Sequence, residues 1–186
     1  MLKIKINCLV IFYFYIETGV FMLSDQKIRE LVANNKLLEP FNEKQLQTTS
    51  YCILSGKVAI VYQSLNEIVN LNNKKQIELI SHKIEIANGY HIKPGEYILV
   101  KTKEKLSMPE NMTAHLRSWR TLIKLGLIMY DQHIDPNFNG YLYIGLYNAT
   151  RNIIDIYPNL IIAQIVFEEV TGKISNEKLH NLKFHW

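Results

Sequence analysis

The stretch from Lys124 to Gln164, KLGLIMYDQHIDPNFNGYLYIGLYNATRNIIDIYPNLIIAQ, constrains this chain most. Its apolar runs are too short and too often cut by turn residues to be long helices. Read as strands they fall at Leu127–Tyr130, Tyr141–Tyr147, Ile153–Ile156 and Ile161–Val170. The same texture continues upstream, with apolar runs at Val58–Tyr62, Ile77–Ile80, Ile84–Ile86 and Tyr97–Thr102. Lys83-Ile84-Glu85-Ile86 alternates with period 2, the mark of a half-buried strand. Asn70–Lys75 reads as a polar turn, and Asn88-Gly89 and Pro94-Gly95 are turn dipeptides. Two helices are expected. One spans Asp25–Ala33, capped at Ser24-Asp25, with Ile28, Leu31 and Val32 at helical spacing; the other is a short internal one within Trp119–Gly126. Many short strands, regular turns and few helices predict an all-β fold, a distorted barrel or jelly roll.

A chain of 186 residues is one domain by length and can bury its own core. The net charge of +4 fits solubility first and an anionic small molecule second. Two cysteines, Cys8 and Cys52, make no disulfide framework, so a reducing cytoplasmic setting is expected. The apolar run Ile6–Ile16 is shorter than the ~20 residues a membrane span needs, and no small-residue cleavage site follows it. Residues 1–21 therefore read as an extension, with an edge strand, a partner contact or a targeting segment as the alternatives. The expected domain is 22–172, followed by a polar tail, 173–186.

Among chemistry-bearing residues, Asp135 precedes Pro136 and can be either a turn starter or a pocket carboxylate. Gln164 lies on an apolar strand and needs a polar partner. Arg117, Arg120 and Lys124 are basic residues around the internal helix, beside Trp119 and Thr121. The six histidines form no HExxH motif, no zinc-deaminase ligand set exists, and Gly172-Lys173 is no phosphate loop. No motif or basic stripe supports nucleic-acid binding, and none supports a membrane.

Asp135-Pro136-Asn137-Phe138-Asn139-Gly140, Leu146-Tyr147-Asn148-Ala149, Tyr157-Pro158 and Ile162–Glu168 together resemble the dCTP deaminase/dUTPase superfamily. So do Met22–Ile28, Glu39-Pro40-Phe41 and the meander from Pro94 to Thr102. The resemblance covers about residues 22–170, and because superfamily members typically begin as Met22–Ile28 does, it implies a natural start at Met22 with residues 1–21 upstream of it. It implies a dUTPase-like barrel, a homotrimer with sites between subunits, and a pyrimidine deoxynucleoside triphosphate as ligand, with Mg²⁺ carried by the triphosphate. It places Asp135 in the pocket, aligning the attacking water or contacting the sugar. Arg120, Thr121, Lys124, Gln164 and Arg117 then hold the nucleotide.

The departures matter as much. Gly145 stands where dCTP deaminases carry the Glu that shuttles the proton at the ring, a contribution worth about 100- to 10,000-fold. Trp119 replaces the leading Arg of the phosphate-binding "GRSSLARLGL" motif, and either fills the phosphate pocket or leaves Arg117 and Arg120 as substitute clamps. Cys52 and Leu54 replace an Asp/Arg pair whose joint loss is expected to leave no unpaired charge. The glycine-rich C-terminal arm is absent. The resemblance therefore favours cleavage of dUTP to dUMP over deamination of dCTP. The alternative is a catalytically degenerate member kept as a trimeric regulatory or structural scaffold.

Overall fold

The computed structural model describes residues 22–35, 37–65 and 67–175, so residues 1–21 and most of the 173–186 tail lie outside the described residues. Helix α1 (Asp25–Asn35) starts where Ser24 accepts a hydrogen bond from the Lys27 N–H at 3.3 Å. Its Ile28 is fully buried, and the helix runs two residues past the expected end at Ala33. Next come β1 (Leu38–Glu39), a 3-10 turn (Glu43–Gln45) and the long β2 (Tyr51–Tyr62). Helix α2 (Lys74–Ile80) leads straight into β3 (Ser81–Glu85). Then follow β4 (Tyr90–Ile92), β5 (Tyr97–Ser107), β6 (Met112–Ser118), α3 (Arg120–Leu125), β7 (Leu127–Met129), β8 (His133–Ile134), β9 (Asn139–Asn148), β10 (Ile154–Ile156) and β11 (Ile161–Glu169).

Two expectations need correction. Ile77–Ile80 is the end of α2 rather than a strand, so the described residues hold two short internal α-helices where one was expected. The cap of α2 lies inside the supposed polar turn: the Asn73 side chain accepts from the Gln76 N–H, and Ile77 and Ile80 share a helical rather than a strand period.

All strand pairings are antiparallel. The nine-stranded sheet runs β7-β9-β5-β2-β11-β6-β8, with β1 on β5 and β3 on β2, and β4 and β10 form a separate ribbon. Strand β2 changes partner along its length. Tyr51–Leu54 pair with β11, while Val58–Tyr62 lie between β3 and β5. This switch, with bulges in β2, β5 and β11, curls the sheet into a half-barrel around its core. Tyr51, Ile53, Ile98, Leu106, Leu116, Ile144, Ile165 and Phe167 fill that core. In β9 the burial alternates from Tyr141 to Ile144 and is broken at Gly145, which is buried as well. Leu142, Ile144 and Leu146 point inward, and Tyr141, Tyr143, Gly145 and Tyr147 share the outer face. Among the described residues no helix is long and apolar enough to cross a membrane.

The first half of β2 is buried on both faces, which explains its unbroken apolar reading from Tyr51 to Leu54. Here the structure revises the reading of Cys52 and Leu54, because a third group, Glu104, brings a carboxyl into the same region. Glu104 sits in the β5 bulge, 1% exposed. The Leu54 N–H donates to its Oε2 at 3.0 Å, and the Gln45 amide donates to its Oε1 at 2.7 Å and to the Cys52 carbonyl at 2.8 Å. Burial raises the Glu104 pKa above the usual carboxylate range, although these hydrogen bonds oppose the rise. Folding therefore takes up a proton at this position. The stability it contributes is full below the unfolded carboxylate pKa and is lost as pH rises through the folded value. Urea unfolding across the acidic-to-neutral range should show this as a falling midpoint component that Glu104→Gln abolishes.

Candidate functional site

The outer face of β2, β11, β6 and β8 carries the polar residues. Register fixes their order: Gln164 lies opposite Arg117 and Cys52, Val166 opposite His115, Glu168 opposite Thr113, and His133 opposite His115. At one end of this face Gln164, half-buried, accepts a hydrogen bond from the Ser50 hydroxyl at 3.2 Å. Arg117 sits beside it and pairs with Asp131 at 3.3 Å. Arg120 is near enough that its positive charge opposes the burial that raises the Cys52 thiol pKa. Arg117 across from Gln164, and Arg120 whose charge reaches Cys52, thus form a basic corner at this end of the face, one that sequence spacing alone does not reveal.

Asp135 occupies the other end of the face. It opens the turn in which the Phe138 N–H donates to the Asp135 carbonyl at 3.3 Å, and Asn137 adopts φ 60°. Its carboxylate is 42% exposed and meets His133 Nε2 at 3.4 Å. Ile134 pairs with Ala114, and Gln164 pairs with Arg117. At about 3.3 Å per residue along β6, Asp135 and the basic corner are at least ~10 Å apart within one chain. A hollow of about 470 Å³ lies beside the Asp135 turn, lined by Ser107, Met108, Pro109 and Asn137–Asn139.

The internal helix divides its candidates. Thr121 and Lys124 are both exposed, Lys124 in the last turn before Gly126, whose φ of 72° closes the helix as a left-handed cap. Trp119 is half-buried and lines an apolar cleft of about 360 Å³ with Thr121, Leu125, Ile154, Leu160 and Ile161. The Arg120 guanidinium lies over the Trp119 ring, 4.7 Å from its centroid. Trp119 therefore fills space beside Thr121, and Asp135 does not line that cleft.

Gly145 has a neighbour the sequence did not flag. A Cβ built on it would lie 2.6 Å from the Tyr97 hydroxyl oxygen and 3.0 Å from the ring. Leu99 pairs with Gly145 across β5 and β9, so Tyr97 is the diagonal neighbour. Tyr97 packs in turn on Tyr62 at 5.4 Å and, edge-on, on Tyr130 at 5.5 Å, and burial raises its phenol pKa. The space beside position 145 is filled by an aromatic cluster. The only trace of this in the sequence is an aromatic residue two positions from the register partner of a glycine.

A family model described as dCTP deaminase-like matches residues 22–170. The chain belongs to the dCTP deaminase-like family. Among curated relatives, a "dCTP deaminase, dUMP-forming" of Persephonella marina is 29% identical over 157 residues, covering 83% of this chain and 87% of that protein. One of the same name from a Hydrogenobaculum species is 31% identical over 152 residues, covering 80% and 82%. Among solved structures, the 2'-deoxycytidine 5'-triphosphate deaminase of Agrobacterium tumefaciens superposes with a TM-score of 0.66 at 20% identity, covering 81% of this chain and 48% of that one. That likeness establishes the fold.

Proposed function

We propose that this protein binds a pyrimidine deoxynucleoside triphosphate and cleaves dUTP to dUMP and pyrophosphate. The observation that carries this reading is the packing of Tyr97 against Gly145. The relatives' name joins two steps, removal of the ring amine and formation of the monophosphate. The first needs an acid/base beside the ring, and Gly145 offers neither a proton nor room for one. The second needs a carboxylate that can orient water, and Asp135 is accessible in a rigid turn.

In this reading Asp135 accepts a hydrogen bond from water and takes its proton as the oxygen attacks the α-phosphorus. The new P–O bond forms as the bond to the bridging oxygen breaks, and pyrophosphate leaves. Arg117, Arg120 and Lys124 supply positive charge to the phosphates, and Thr121 and Gln164 donate hydrogen bonds. Among the described residues no group of three or more His, Cys, Asp or Glu is arranged to hold a metal ion. In this reading Mg²⁺ arrives with the triphosphate, as part of the substrate.

The separation of Asp135 from the basic corner supports a homotrimer in which neighbouring copies complete each site. Buried, unpaired Cys52 suits a cytoplasmic setting. The domain proposed to act is 22–172.

The test is to incubate protein beginning at Met22 with dUTP or dCTP and Mg²⁺ and to separate the products by ion exchange. dUMP from dUTP, lost in Asp135→Asn, is the expected result. dUTP appearing from dCTP would overturn the reading of Gly145. No product from either, in a folded trimer, would favour the scaffold.

A further inference from the structure

Beside Asp135 runs a row of titratable groups that the reaction as written does not use. His133 Nε2 lies 3.4 Å from Asp135 Oδ1 and 3.2 Å from the Thr113 hydroxyl oxygen. The His133 ring packs on His115, with centroids 4.8 Å apart and planes at 55°. His115 Nε2 in turn lies 3.7 Å from Glu168 Oε2. Four side chains from β8, its following turn, β6 and β11 thus form the line Glu168, His115, His133, Asp135.

The threonine decides where the proton sits. A hydroxyl has one hydrogen to donate. Thr113 donates it to the Ile134 carbonyl at 2.8 Å. Toward His133 the same oxygen can only accept, and the Asp135 carboxylate can only accept as well. Both acceptors converge on Nε2, so Nε2 carries the hydrogen in the neutral ring as well as in the charged one. The Nε2 hydrogen is thus shared toward Thr113, its hydrogen-bond partner, and His133 faces Asp135 Oδ1 as an ion-pair neighbour at 3.4 Å.

We propose that His133, fixed by Thr113 and stacked on His115, is a positioning residue that sets the charge facing Asp135 Oδ1 and makes its action on water depend on pH. This rests on the nucleotide-hydrolase reading above. When the ring takes its second proton, a full positive charge faces the carboxylate. That charge draws on the electron density Asp135 uses to pull a proton from water. Activity then falls on the acid side. The other charges facing this row are His115 and Arg117 on β6, Glu168 on β11 and Asp131 before β8. Arg117 and Asp131 are engaged with each other. Glu168 lies 3.7 Å from His115 Nε2, on the side away from Asp135.

The experiment compares kcat and KM for dUTP across pH in the wild type, His133→Gln, His133→Ala and Asp135→Asn, with thermal melts of each. Gln keeps an N–H donor and cannot titrate. His133→Gln is expected to keep kcat within about threefold of the wild type at alkaline pH and to move the acid-side fall down from the histidine range to the carboxylate range, where a general-base carboxylate is itself protonated. His133→Ala is expected to shift the fall in the same way and to lower kcat by at most about fivefold, the scale of one half-exposed ion pair, with KM little changed. Two results overturn the proposal separately. If the wild type forms dUMP and needs Asp135, but the acid-side fall of His133→Gln lies at the same pH as in the wild type, the positioning role is wrong and the hydrolase reading stands. If the wild type forms no dUMP at all, both fall.

Discussion

Asp135→Asn is expected to cut the rate of dUMP formation from dUTP by about 100- to 10,000-fold, the range for loss of a general base. The exchange is nearly isosteric. The turn does not depend on the side chain, since its closing bond uses the Asp135 carbonyl and the Phe138 N–H. What is lost structurally is a half-exposed ion pair with His133, worth at most ~1 kcal/mol. Stability should therefore move by less than about 1 kcal/mol while turnover collapses. A steady-state assay paired with urea unfolding separates the two. If the rate and the stability fall together, Asp135 is a turn residue and its candidacy ends.

Gly145→Glu is expected to weaken the fold rather than to create a deaminase. The new Cβ would sit within 2.6–3.2 Å of three Tyr97 atoms, and Tyr97 cannot swing away freely because Tyr62 and Tyr130 hold its ring. Overpacking of this kind costs about 1–3 kcal/mol. Tyr97→Ala makes the missing room, so the double variant Gly145→Glu/Tyr97→Ala should be more stable than the sum of the single changes predicts. A coupling of roughly 0.5–3 kcal/mol is the expected size for residues in contact. Additive behaviour in a double-mutant cycle would mean that the ring yields and that Tyr97 does not control access to position 145.

These two cases show how far a sequence reaches. Strand β9 was legible because one of its faces is core, which imposes the alternation of Leu142, Ile144 and Leu146 with their tyrosine and glycine neighbours. Helix α3 was legible because Gly126 ends it. Helix α2 was not, because only Ile77 and Ile80 lie on one side and neither is fully buried; its real signal is the cap at Asn73. Asp135 could be named from its turn, but its partner His133 could be judged only once β8 had been registered against β6. The contact between Tyr97 and Gly145 depends on a pairing across 46 residues, Leu99 with Gly145, that no local pattern encodes. The basic corner near Gln164 and Cys52 depends likewise on β2 and β11 lying side by side.

That last pairing governs how the chain can acquire its shape. Strand β2 meets β11 with Cys52 opposite Gln164, so the seam that closes the half-barrel joins the beginning of the domain to its end. On a ribosome, the pairing of β5 with β9 and of β2 with β3 can form while synthesis continues, but β2 must wait with one edge open until Ile161–Glu169 has emerged. Contacts this distant in sequence make for slow folding, and an apolar strand left with an unpaired edge is where nascent chains associate wrongly. A chain stopped before β11 should be captured by chaperones even though most of its other strands are already present.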